Sequence, residues 1–134
     1  METIRSRERL RGAALVLVGH GSVRNTHSSV PTRRLAEILR RRDLFAEVTA
    51  CFWKESPPLR EALTRINAAE VFVVPNFAGV GYFTHEVIPR EMGLSGPVTR
   101  VADARGEMRC IHYTPPVGAH PPQSLQLGPL ANQQ

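Results

Sequence analysis

An apolar run that ends in a histidine between two glycines constrains this fold more than any other feature. Residues 15–18 alternate like a buried strand with β-branched Val16 and Val18, and Gly19-His20-Gly21-Ser22 follows directly. The turn places His20 at the carboxyl end of the strand, where open α/β sheets bind ligands. Flanking glycines expose the imidazole and let the backbone approach a ligand. The junction predicts a functional site, and the alternative is a tight turn whose histidine caps or packs.

The rest of the chain alternates helical and extended patterns. Helices are predicted at residues 29–42 with Ser29 as N-cap, from Ser56-Pro57-Pro58 onward, and from a capping Thr84 to Met92 with Gly93 as the C′ residue. Further strands are predicted at residues 47–53, 71–75 and 110–113, with a hairpin excursion around residues 102–106 before the last one. With right-handed crossovers, this order predicts an α/β fold, a three-layer domain with a central four-stranded parallel sheet.

A chain of 134 residues is expected to form one domain. We assign residues 1–12 to a charged N-terminal extension, 13–121 to the α/β domain and 122–134 to a tail or short helix. Cys51 and Cys110 lie in apolar runs without metal or disulfide spacing, which indicates reduced core thiols. No targeting or membrane segment is visible, so a cytoplasmic protein without a membrane partner is expected.

Several ionisable side chains fall at the predicted carboxyl edge of the sheet. They are His20, Glu55, His85, Glu86 and His120. Imidazoles and carboxylates bind first-row divalent metals, and histidine also accepts protons near neutral pH. No compact metal motif is present, so a site would combine distant segments. Tyr82 and Phe83, in a glycine-rich loop, suit a flat apolar ligand or equally anchor the third helix to the core.

The charge balance favours anionic partners without choosing among them. Seventeen Lys and Arg against 12 Asp and Glu give a net charge of +5, although such surpluses are more often solvated surface. No Walker motif is present, and Gly19-His20-Gly21 matches only half of a dinucleotide-binding fingerprint. Aromatic residues make up only 6% of the chain and no nucleic-acid motif is recognised, so a nucleic-acid partner is not expected.

These motifs together resemble those of the CbiX-type sirohydrochlorin cobaltochelatases, which are class II chelatases. The matching segments are Leu17-Val18-Gly19-His20-Gly21-Ser22, Phe52-Trp53-Lys54-Glu55-Ser56-Pro57, Val74-Pro75, Gly81-Tyr82-Phe83-Thr84, Val87-Ile88-Pro89-Arg90-Glu91 and Pro116-Val117-Gly118-Ala119-His120-Pro121. They follow the family order across most of residues 13–121. The resemblance covers one half-domain of a family whose working unit is two halves that face each other across a cleft.

The resemblance implies insertion of a divalent metal into the tetrapyrrole sirohydrochlorin on the route to cobalamin. Cobalt is the expected metal substrate, with nickel or iron in relatives, and no organic cofactor is expected. The implied partner is a second half-domain, either a second copy in a homodimer or a half in another chain. The alternative is a non-catalytic tetrapyrrole- or metal-binding module.

The implied site residues follow from the matched motifs. The expected catalytic residues are His20, Glu55 and Glu86, the tetrapyrrole-binding residues are Gly19, Gly21, Ser22, Tyr82 and Phe83, and the metal ligands are His20 and His85. The chain departs from the family at one position, because Phe83 stands where the commonest family pattern has a second histidine. His85 lies two residues later and replaces this ligand only if its ring turns towards the cleft.

Overall fold

A mixed five-stranded sheet forms the centre of the protein. The computed structural model describes residues 8–22, 24 and 26–119. The strands are β1 (Ala13–Gly19), β2 (Glu47–Phe52), β3 (Glu70–Pro75), β4 (Val98–Ala102) and β5 (Met108–Tyr113). Their spatial order is β2-β1-β3-β5-β4. All neighbours are parallel except β4 and β5, which are antiparallel.

The sheet corrects the expected strand count. The sequence predicts four parallel strands, with a hairpin excursion before the last one, but the first arm of that hairpin joins the sheet as the edge strand β4. The connection between Ala102 and Met108 is short, which permits only antiparallel pairing. Gly106 supplies the left-handed conformation that this turn needs, with φ of 83°.

Short helices connect the strands. The 3₁₀ turn Thr26–Ser29 leads into α1 (Val30–Arg41), α2 (Leu59–Ala62) continues into the 3₁₀ turn Leu63–Arg65, and the π-helical turn Phe83–Val87 leads into α3 (Ile88–Met92). A last 3₁₀ turn spans Val117–Ala119. Gly93 closes α3 in the left-handed conformation, as predicted.

The predicted cap residue of α1 is confirmed, and that of α3 is wrong. Ser29 is the N-cap residue of α1, but its hydroxyl donates to Glu55 and makes no capping bond with the helix. Thr84 does not begin its helix, because it lies inside the π-helical turn, where its hydroxyl bonds the backbone of Gly81. In both places the hydroxyl forms hydrogen bonds with a residue of a neighbouring loop instead of capping the helix.

Apolar side chains cover both faces of the sheet, which confirms the three-layer arrangement. One core joins the β1, β3 and β5 side chains to α2 and α3 through Leu59, Ile88 and Met92. The other joins β1 and β2 to α1 through Leu17, Ala36 and Phe52. Within the described part of the chain, no helix is long and apolar enough to cross a membrane.

The strand register brings the predicted functional loops to one edge. Gly19 pairs with Phe52 in β2, Val18 pairs with Pro75 in β3, and Val73 pairs with Tyr113 in β5. The loops that begin at His20, Trp53, Asn76 and Thr114 therefore start side by side at the carboxyl edge. The domain boundaries remain predictions, and residues 1–7 and 120–134 lie outside the described residues.

Candidate active site

The backbone of the β1 loop is bonded to both neighbouring strand ends. The His20 carbonyl accepts hydrogen bonds from the backbone N–H groups of Trp53 at 3.1 Å and Lys54 at 2.8 Å. Asn76 N–H donates to the Val18 carbonyl at 2.8 Å. The strand ends therefore hold the backbone of His20, while its side chain stays exposed.

The environment of the His20 ring defines which nitrogen is available. Nδ1 lies 3.0 Å from the Gly21 carbonyl oxygen. Because a carbonyl only accepts hydrogen bonds, Nδ1 carries the proton in this contact and Nε2 of the neutral ring keeps its lone pair. The ring also packs against Phe83, with centroids 5.2 Å apart. His20 thus offers Nε2 to a metal ion or a proton.

Glu55 lies beside this loop, and its carboxylate oxygens are hydrogen-bonded to other residues of the chain. Ser29 Oγ donates to Oε2 at 2.6 Å, Ser22 N–H donates to Oε1 at 3.2 Å, and Arg33 pairs with Oε2 at 3.1 Å. The Ser29 hydrogen bond, helped by Ser22 and Arg33, lowers the pKa of Glu55 below its ordinary value. Its catalytic role therefore stays a prediction, and the contacts favour a structural task at the loop.

Two glycines are required where this loop meets its neighbours. A Cβ on Gly21 would lie 2.7 Å from Glu55 Cβ, and Gly21 has a φ of +72°. A Cβ on Gly19 would lie 2.8 Å from Thr32 Oγ1 and 2.9 Å from the Phe52 ring. All three distances are below normal contact, so the backbone at this point packs directly against other parts of the protein.

The two aromatic residues after β3 have different surroundings. Phe83 is half-buried and packs against Phe77 at 5.0 Å and Trp53 at 6.4 Å, besides His20. Tyr82 is 70% exposed. The sequence left two roles open for these residues, contact with a flat ligand or anchoring of the helix to the core. The anchor role fits Phe83, whereas the ring of Tyr82 is open to contact with a ligand.

His85 and Glu86 lie on the exposed side of the π-helical turn. His85 lines a groove of about 560 Å³ together with Val80, Pro89, Pro97, Tyr113 and Pro115. Tyr113 OH donates to the Thr84 carbonyl at 2.5 Å, and burial raises the pKa of Tyr113 to about 12. This turn reaches β5 through the bond from Tyr113, and its first residue, Phe83, contacts the His20 ring.

The part of the chain that the structure describes contains no compact group of metal-binding side chains. Among residues 8–22, 24 and 26–119, no group of three or more His, Cys, Asp and Glu side chains is close enough to hold a metal ion. His120 lies outside the described residues. His20 and His85 share an edge of the sheet, and their joint role as ligands stays a prediction.

The comparisons with known proteins agree with this fold. The CbiX family model matches residues 14–123. The chain belongs to the CbiX family. A curated relative from Halobacterium salinarum, named "Probable sirohydrochlorin cobaltochelatase", is 42% identical over 121 residues, which is 80% of this chain and 41% of the relative. The chain therefore spans less than half the length of that CbiX relative.

A solved structure from Deinococcus radiodurans also matches this CbiX chain. It is described as a multi-domain protein with structural similarity to chelatases and with two additional novel domains. The match has a TM-score of 0.71 and 39% sequence identity, and it covers 83% of this chain and 26% of that one. The likeness confirms the chelatase-type α/β fold.

Sequence reasoning missed Arg33 as a member of this CbiX site. Its guanidinium donates to Glu55 and, at 2.7 Å, to the Ser56 carbonyl, and it lies 4.6 Å from the centroid of the Phe52 ring. The available signal was the spacing of Ser29 and Arg33, which are four residues apart and share a helix face. Without the position of Glu55, that spacing indicated only an ordinary surface pair.

Proposed function

We propose that this chain is a chelatase half-domain that binds a sirohydrochlorin-type tetrapyrrole and inserts a divalent metal into it. The observation that carries the proposal is His20, an exposed imidazole at the carboxyl end of β1 whose Nε2 is available. Membership of the CbiX family supports the reaction class. In enzyme classification this activity would be that of a lyase.

Cobalt is the metal we propose as substrate. The support is the name of the Halobacterium salinarum relative, which specifies a cobaltochelatase. Imidazole also binds Ni²⁺ and Fe²⁺, so ligand type does not separate these three metals. We propose no organic cofactor, and we place the product in cobalamin or related cofactor biosynthesis.

The residue roles follow from what insertion requires. The pyrrole nitrogens must lose their protons as the metal arrives, so a base and a weak metal ligand are needed at one place. His20 Nε2 serves both purposes, and Glu86 and His85 on the opposite turn supply a second base and a second ligand. Ser22, Tyr82 and Phe83 form the surface against the tetrapyrrole in this proposal, and the buried Gly19 and Gly21 let the backbone of the loop pack beneath it.

A second half-domain completes the site in this proposal. The carboxyl edge of one chain forms only one side of a cleft, and the chain spans 41% of its curated relative. A cytoplasmic two-fold homodimer, or pairing with a half in another chain, places two such edges face to face. Sedimentation at micromolar concentration is expected to show a dimer, and a fully active monomer would overturn this arrangement.

The central test is a spectrophotometric insertion assay on the full chain. Sirohydrochlorin and Co²⁺ are mixed with the protein, and the change in the visible spectrum gives the insertion rate. His20→Ala is expected to slow insertion by ~10²-fold or more, the usual scale for a positioned proton acceptor. Its melting temperature should change little, because the exposed ring makes few contacts.

His27→Ala is the matched control, since His27 is exposed and lies in the 3₁₀ turn before α1, outside the strand-end loops. It is expected to retain the wild-type rate. Insertion at the wild-type rate by His20→Ala would refute the proposed role of His20.

The second candidate function is a tetrapyrrole- or metal-binding module without catalysis. It is favoured by Phe83 at the family's second histidine position and by the lack of a three-residue metal group in the described part of the chain. This candidate predicts that sirohydrochlorin binds and its spectrum shifts, while added Co²⁺ is inserted no faster than in buffer.

A further inference from the structure

A hydrogen-bonded clamp joins α1 and β2 to the loop that carries His20. Its members are Ser29 at the N-cap of α1, Arg33 in α1, Glu55 in the segment after β2, and Ser22 in the loop. Arg33 Nε also donates to Ser29 Oγ at 3.2 Å. The clamp is therefore a closed network, in which Glu55 and Arg33 are each bonded to at least two other members.

The clamp acts on the peptide units that follow His20. Glu55 bonds the N–H of Ser22, and this N–H belongs to the peptide unit whose carbonyl oxygen is Gly21 O. That oxygen accepts the proton of His20 Nδ1. Because the peptide unit is planar, fixing its N–H also fixes the direction of its carbonyl. Glu55 and the His20 ring thus hold opposite sides of one peptide group.

We propose that Glu55 and Arg33 are positioning residues that set the tautomer of His20. Glu55 orients the Gly21–Ser22 peptide, its carbonyl keeps the proton on Nδ1, and Nε2 is left as the acceptor. Arg33 keeps the Glu55 carboxylate in place through its bonds to Glu55 and to the Ser56 carbonyl. Histidine ligands in proteins are commonly fixed in this way through the second ring nitrogen.

The exposed side of the loop shows why such a device is needed. Phe83 contacts the His20 ring but bonds neither nitrogen, and solvent reaches the side chain. An exposed neutral imidazole otherwise exchanges between its two tautomers, and only one of them presents Nε2 as an acceptor. The inference rests on the proposed function only in assigning a metal or a pyrrole proton to Nε2.

Nitrogen-15 NMR of the full chain tests the tautomer without any chelatase assay. In the wild type, Nδ1 of neutral His20 is expected to resonate as a protonated nitrogen and Nε2 as an unprotonated one. In Glu55→Gln and Arg33→Gln the two resonances should move towards each other as both tautomers become populated. His20→Ala identifies the signals.

The same variants are titrated with Co²⁺ and assayed for insertion. Loss of an outer partner of a metal ligand costs roughly 10–100-fold in affinity or activity, so a decrease of at least tenfold is expected in both variants. Arg33→Lys should restore part of the affinity, because it keeps the charge beside Glu55. The KM for the tetrapyrrole should change less than kcat.

Arg34→Gln and Glu37→Gln are the controls, since both residues are exposed on α1. They should leave the His20 resonances and Co²⁺ affinity unchanged. Folded Glu55→Gln and Arg33→Gln proteins that retain the Nδ1–H tautomer would overturn the inference. If the tautomer shifts but the wild type inserts no metal, the clamp stands and the proposed function fails.

Discussion

The β1 loop and the turn after β3 supply the candidate residues of one edge, but the protein holds them differently. Around His20, backbone bonds from β2 and β3, the Glu55 clamp and two glycines without space for a Cβ leave little freedom. Around His85 and Glu86 the side chains are exposed, and a Cβ at Gly79 or Gly81 would meet nothing within 4 Å. The β1 loop is therefore held in place before a ligand arrives, and we call it the fixed wall. The turn after β3 has room to adjust, and we call it the open wall.

This difference suits the proposed reaction, in which a metal ion has to be both held and released. A ligand that is already oriented loses little conformational freedom on binding, which favours rapid capture. In the same proposal, a ligand on the open turn is free to change its position as the metal is transferred. We therefore expect substitutions of the two glycines in the β1 loop to affect folding and chemistry together, and changes in the turn to affect chemistry more than folding.

The largest expected effect is a loss of stability in Gly21→Ala. The new methyl group would lie 2.7 Å from Glu55 Cβ, and alanine is strained at a φ of +72°. Left-handed strain and overpacking together should lower the free energy of unfolding by about 2–4 kcal/mol. Urea denaturation gives this value directly.

Gly79→Ala provides the matched comparison in the turn region. Its Cβ would enter open space, so stability should change by less than about 0.5 kcal/mol. Equal destabilisation by the two substitutions would remove the contrast between the fixed and the open wall.

The second prediction concerns a substitution that adds a metal ligand to the open wall. Phe83→His places an imidazole where the ring centroid is now 5.2 Å from that of His20. Metal–nitrogen bonds of about 2.0–2.1 Å let one ion bridge rings at such a separation. Co²⁺ affinity, measured by calorimetry, should rise roughly tenfold or more, since even outer partners of ligands are worth 10–100-fold.

Phe77→His is the control for this gain. Phe77 packs against Phe83 and has no ring contact with His20 in the described structure, so its replacement should not strengthen Co²⁺ binding. A similar gain in both variants would indicate a nonspecific effect of added histidine.

The sequence allowed the fixed wall to be predicted better than the open one. The Gly-His-Gly turn after a strand and the β/α alternation depend on local chemistry, and the structure confirms the three-layer fold built from them. The edge strand β4 was missed because a short hairpin does not reveal whether its first arm joins the sheet. Pairing of β4 with β5 decides this, and it is a tertiary contact.

The partners of Glu55 could not be predicted for the same reason. Ser29 matched the pattern of an N-cap, and only the approach of β2 to α1 turns its hydroxyl towards the carboxylate. The surroundings of His85 likewise depend on the π-helical turn, a rare geometry that apolar spacing does not distinguish from an α-helix.

A smaller effect is expected where the open wall is attached to the sheet. Tyr113→Phe removes the hydroxyl that donates to the Thr84 carbonyl at 2.5 Å. Loss of one hydrogen bond should reduce stability by about 1 kcal/mol. Tyr82→Phe, at a side chain that is 70% exposed, should change it by less than about 0.5 kcal/mol. Thermal unfolding of both variants gives the measurement. A loss of stability in Tyr113→Phe alone indicates that this hydrogen bond attaches the turn to the sheet.

The smallest effect is a pH dependence of stability that originates in the clamp of the fixed wall. Its hydrogen bonds lower the folded-state pKa of Glu55 below the ordinary value, so the unfolded chain binds the proton more readily. The contribution of Glu55 is therefore complete above about pH 4.5 and is lost as the pH falls through the lower, folded-state pKa. Urea unfolding of the wild type and Glu55→Gln from neutral pH to about pH 3 should show a stability difference that decreases on acidification.

Glu86→Gln, on the open turn, should differ from the wild type by less than about 0.5 kcal/mol at neutral pH. A wild-type advantage over Glu55→Gln that grows towards acid would contradict the sign of the Glu55 shift and the clamp that explains it.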